Sequence, residues 1–101
     1  MSNLESLSQA LQRLAERGFR HDFRAEDGRL RDLETRESYD PELLEIDEVV
    51  RFEGESDPDE QAVLFALRSP GGIALGTWSV VFGAAMPPDD GEVVRRLGRK
   101  S

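Results

Sequence analysis

Leu4, Leu7, Leu11 and Leu14 recur at spacings of three and four, which places them on one face of a helix. Ser2 and Glu5 have the spacing of a capping box, and Gly18 follows the last turn as a left-handed stop, with Phe19 able to fold back on Leu14. The pattern predicts a helix over 3–17, with Arg13 and Arg17 near its negative end. After Gly18 the period drops to two. Phe19, His21 and Phe23 point one way; Arg20, Asp22 and Arg24 point the other. Asp27-Gly28 predicts a tight hairpin turn into a weaker strand over 29–33. The charged stretch 34–40 predicts a loop.

Asp40-Pro41-Glu42-Leu43-Leu44 predicts one short helical turn, capped by Asp40 and opened by Pro41. A strand over 46–53 follows, with Ile46, Glu48, Val50 and Phe52 on one face against Asp47, Val49, Arg51 and Glu53 on the other. Residues 53–60 form an acidic loop. Gln61–Arg68 and Ile73–Phe82 are apolar on both faces, so they belong at the centre of a sheet. Ser69-Pro70-Gly71-Gly72 joins them, with Pro70 and Gly71 suited to the centre of a type II turn. A last helix is predicted over 90–97, after Pro87-Pro88 and before Gly98, with Val93, Val94 and Leu97 as its stripe.

The order helix, about five strands with mostly hairpin connections, then helix predicts one α+β domain over 1–101. Its sheet is mostly antiparallel, with the helices on one face and the C-terminal helix packed on the sheet. A chain of 101 residues suits one core.

Composition narrows the function classes. With no cysteine, disulfides, thiolate catalysis and zinc–cysteine sites are excluded. No signal peptide is read at the start, and 73–86 is too short and too broken to span a bilayer, so a cytoplasmic location is expected. Charge is uneven: residues 1–33 are neutral, 34–60 hold a net −10 and 61–101 a net +2, within a total of −8. Such a surface repels phosphate backbones, so nucleic-acid binding is not expected. Of the basic residues, only Lys100 is not Arg. An acidic, Arg-rich surface fits salt adaptation; a GC-rich genome would also favour Arg.

His21 is the sole histidine and lies on the core-facing side of its strand, while Glu48 lies on the apolar face of another. If those strands are neighbours, the two form an acid–base pair; the alternative is a structural buried pair or a His at the sheet margin. Arg51 and Trp78 are candidate ligand-binding residues, and Tyr39 could share a ligand surface. Trp78 alternates with Gly76 and Val80, which favours packing under a helix. Glu55, Asp57 and Asp59 in the acidic loop could hold a divalent metal, although the spacing is not that of a helix–loop–helix calcium site. The glycines form no phosphate-binding signature, and no cofactor is expected. Arg95, Arg96, Arg99 and Lys100 make a basic tail that could dock on the protein's own acidic belt.

The run Asp47-Glu48-Val49-Val50-Arg51-Phe52-Glu53-Gly54, with Asp57-Pro58-Asp59 and Val63-Leu64-Phe65-Ala66-Leu67, resembles a family of bacterial proteins of about this length. The opening helix, Gly18-Phe19 and His21-Asp22-Phe23 fit the same pattern. Members are often labelled phosphoribosylpyrophosphate synthetase. That enzyme is much longer and needs an acidic, glycine-bearing loop for the ribose phosphate, of which Asp89-Asp90-Gly91 is a fragment. The resemblance therefore implies length and architecture, not that activity. The expectation that remains is a non-catalytic domain acting through self-association or a protein partner. The alternatives are a small-molecule or anion-binding protein, or minor enzyme, using His21, Glu48 and Arg51, and a metal-binding acidic loop.

Overall fold

The computed structural model of the chain describes residues 5–53, 61–84 and 86–97. The first helix, α1 (Leu7–Glu16), starts later than predicted. Ser6 is its N-cap and Gln9 closes the capping box, because Ser6-Leu7-Ser8-Gln9 offers the same motif one turn on from Ser2. Ser2 lies outside the described residues. The end is as expected: Gly18 has φ +106° and the Phe19 amide donates to the Leu14 carbonyl.

Six strands follow: β1 (His21–Glu26), β2 (Arg29–Asp32), β3 (Ser38–Tyr39), β4 (Glu45–Glu53), β5 (Gln61–Arg68) and β6 (Ala74–Phe82). A 3₁₀ turn at Pro41–Leu43 precedes β4, and α2 (Pro88–Arg96) closes the chain. The sheet order is β3-β2-β1-β6-β5-β4. Two antiparallel three-stranded ladders are thus joined by one parallel pair, β1 with β6, through His21↔Gly76 and Asp22↔Thr77. β5 and β6 are central, as their two-sided apolar pattern requires. β3, of two residues, is the strand absent from the expected five.

The Asp27-Gly28 turn has positive φ at both residues, which suits the right-handed twist of β1 and β2. The β5–β6 turn is not type II. Its hydrogen bond runs from the Gly72 amide to the Ser69 carbonyl, but it is Gly72, not Gly71, that has positive φ.

The two helices lie on opposite faces of the sheet, not on one. Alternation along β5 shows why. Val63, Phe65 and Leu67 join Phe23, Leu30, Trp78 and Val80 in a core with Val93 of α2 and Leu97 at its C-cap. Leu64 and Ala66, pointing the other way, pack with Ala10 and Leu14 of α1 and with Phe19. A strand that is apolar on both sides needs a cover on each.

A bulge in β4 settles which residues face α1. Ile46 pairs with Leu67 and Glu48 with Ala66, leaving Asp47 as the extra residue. Ile46 therefore lies against the α2-side core, while Glu48, Val50 and Phe52 turn to the α1 side. The single face expected for Ile46, Glu48, Val50 and Phe52 is broken at Asp47.

Candidate functional site

His21 is paired with Asp32, not with Glu48. The hairpin register sets Asp32 opposite Phe23, so Asp32 is the diagonal neighbour of His21 on the same face. The Asp32 side chain is 1% exposed, and its Oδ2 lies 2.7 Å from His21 Nδ1. Its Oδ1 accepts the backbone amides of Glu34 (2.8 Å) and Thr35 (3.2 Å). Burial alone would push this carboxyl up. The His21 hydrogen bond and the two amides more than reverse that, holding it below the usual carboxylate range. A carboxylate at Nδ1 fixes the neutral ring with its proton there, which leaves Nε2 a lone pair. That nitrogen can accept a proton or act as a single ligand. Nearby, Tyr39 packs on Phe23 and donates to Glu37, and burial followed by that contact pushes its phenol up.

Glu48 lies on β4, separated from β1 by β6 and β5, so the condition for a His21–Glu48 dyad is not met. It instead belongs to an ionic rail that ties α1 to β4. Arg13 binds Glu5 through two nitrogens and Glu48 at 2.9 Å; Arg17 reaches Glu48 and Asp47, both at 2.9 Å. Arg68 donates to Asp47 at 2.8 Å, and the guanidinium groups of Arg17 and Arg68 flank the Phe19 ring. The contact with Arg68, then Arg17, holds Asp47 below its ordinary range, and the carboxylates hold Arg13 above its own. Three cations meet three carboxylates, so the rail offers a ligand no spare charge. Its chemistry is attachment of the helix.

The other candidates scatter. Trp78 is buried and stacks on Phe65 at 5.6 Å, which makes it core. Arg51 is exposed, on the outer strand β4, far from His21 in the sheet order. Glu55, Asp57 and Asp59 lie outside the described residues. Among the described residues no group of three or more His, Cys, Asp or Glu could hold a metal ion. The basic tail partly docks as expected: Arg96 donates to the Gly28 carbonyl and stands 3.6 Å from Asp40 and 3.5 Å from Glu42. Arg99 and Lys100 lie outside the described residues.

A feature absent from the sequence reading is a hollow of about 330 Å³ at the end of β5 and β6, beyond the first turn of α1. Leu7, Phe52, Ala62, Val81, Met86 and Pro87 supply its apolar lining, with Ser79 and Asp90 as polar members. Among the described residues of α1 only Ala10 and Leu14 are buried, and both lie further along the helix than Leu7, which lines the hollow. Leu7 remains 43% exposed and Val81 48% exposed at the rim. The Asp90 carboxyl is pushed up by burial and by Asp89, with Arg24 acting in the opposite sense. The signal of this site in the sequence is Val81, an apolar residue on the face of β6 that the buried Ala10 and Leu14 of α1 leave exposed.

Comparison of the chain with family models, curated proteins and solved structures found no match. No helix among the described residues is long and apolar enough to cross a membrane.

Proposed function

We propose that this protein is a non-catalytic binding domain that receives an apolar segment of another protein in the hollow beside α1. The observation that supports this reading most directly is the hollow itself, apolar-lined and rimmed by exposed Leu7 and Val81. Its volume falls within the range of small recognition sites, roughly 300–1,000 Å³. Side chains of this kind left uncovered at one place are what an association surface requires. The alternative of a small-molecule or anion site built from His21, Glu48 and Arg51 loses its convergence, since the sheet order separates them. The net charge of −8 sets one copy against another, which favours a different protein over self-association.

The test is an amide NMR titration with a neutral apolar probe, the capped peptide acetyl-Leu-Gln-Leu-amide. Shifts should concentrate at Ala62, Ser79, Val81 and Gly83. Val81→Asp, at an exposed position that tolerates charge, should abolish them and leave the rest of the spectrum unchanged. A spectrum that does not move at those amides, or that moves equally at Glu34 and Thr35 at the other end of the sheet, would refute the reading.

A further inference from the structure

Asp90 is the charged group lining the hollow, and its setting bears on what the hollow selects. It sits in the first turn of α2, after Pro87 and Pro88, where Pro87 provides no side-chain cap. Among the described residues no hydrogen bond or ion pair ends on its carboxylate. Asp89 adds like charge beside it, and Arg24 attracts it without coming within ion-pair distance. The contrast with the molecule's other half-buried carboxylates is sharp. Asp47, Glu48 and Glu5 each hold a guanidinium at about 2.8–2.9 Å. Asp90 has an apolar wall on one side and a like charge on the other. Helix position accounts for an acidic residue there. It does not account for a carboxylate left without a donor at the mouth of an apolar hollow.

We propose that the segment seated in the hollow is basic as well as apolar: an aliphatic or aromatic side chain enters between Leu7, Phe52 and Val81, and an adjacent lysine or arginine meets the Asp90 carboxylate. This rests on the reading of the hollow as a protein-binding site and adds the chemistry of the partner. The hollow offers such a segment two kinds of complementarity. The lining desolvates the apolar side chain, and a carboxylate partly withdrawn from water gains more from a cation than an exposed one does. The acidic surface of the whole chain steers a basic segment toward the site and disfavours an acidic one.

The experiment compares three capped peptides, acetyl-Leu-Lys-Leu-amide and its Gln and Glu counterparts, in the same amide NMR titration at fixed salt. The lysine peptide should bind roughly tenfold more tightly than the glutamate peptide, with glutamine between them. Asp90→Asn should flatten that order and keep the affinity for the glutamine peptide. Glu34→Gln makes the same change in net charge at an exposed position in the turn after β2, at the other end of the sheet, and should leave the order intact. Equal affinities for the three peptides, or an order that survives Asp90→Asn, would overturn the basic-partner inference while the hollow remains a binding site. If none of the three moves the hollow amides, both readings fall.

Discussion

Asp32 brings a carboxylate into the interior of a small acidic domain, and the fold meets the cost locally. One oxygen takes two amides from the turn that follows, and the other takes His21. Replacing it with Asn puts an NH₂ where one acceptor stood, so a buried donor loses its partner. The expected loss at neutral pH is about 2 kcal/mol, read from denaturant midpoints. The pH dependence has a definite sign. The folded carboxyl is held below its unfolded value near 4, so its contribution is present above that value and is lost as pH falls through the lower folded one. The gap between the native chain and Asp32→Asn should therefore narrow on going from pH 6 to pH 3. A gap of constant size would show that Asp32 does not titrate with the fold.

At the level of elements, the weak point is the seam between β1 and β6. A Cβ built at Gly76 would stand 1.9 Å from the carbonyl oxygen of His21, well inside any tolerable contact. The obstacle is backbone, so no side-chain rotation relieves it. Gly76→Ala should part the seam or shift β1, with a loss of more than about 3 kcal/mol and collapse of β1–β2 amide protection. A midpoint equal to that of the native chain would mean that the strands do not approach this closely. The seam also marks where sequence reading ends. The β1–β2 hairpin and the end of α1 were legible because Asp27-Gly28 and Gly18 act through their own neighbours. The parallel pairing of β1 with β6 joins residues more than fifty positions apart, and no local pattern encodes it. Ile46 falls on the other face from Glu48, Val50 and Phe52 for a related reason: period-two counting passes straight through Asp47, where the bulge exchanges the faces. Asp32 was within reach, since a two-residue Asp27-Gly28 turn sets it opposite Phe23 and so diagonal to His21. The hollow was not, because it depends on where a helix stops over a sheet built from distant strands.

Over the whole molecule, long-range charge and short-range pairs respond differently to salt. The described structure spans 36 × 31 × 27 Å and the chain has a net charge of −8. At an ionic strength of about 0.01 M the screening length is roughly 30 Å, so the excess carboxylates repel one another across the full width of the fold. At about 0.15 M it is roughly 8 Å, and most of that repulsion is gone. The ionic rail contributes little either way, because half-exposed pairs are worth roughly 0–1 kcal/mol each and those at 2.8–2.9 Å lie well inside the shorter screening length. Unfolding spreads the same net charge over a much larger radius, which relieves the repulsion and lowers stability when salt is scarce. The melting temperature should therefore rise between about 0.01 M and 0.15 M sodium chloride. The transition should stay single, because one core, from Phe23 and Leu30 through Val63, Phe65 and Trp78 to Val93, crosses the seam and couples both ladders. Trp78 fluorescence reports that core and far-ultraviolet circular dichroism reports the sheet, and their curves should coincide at both salt concentrations. A melting temperature that falls over this interval would show that contact pairs, rather than excess charge, dominate the electrostatics of the fold.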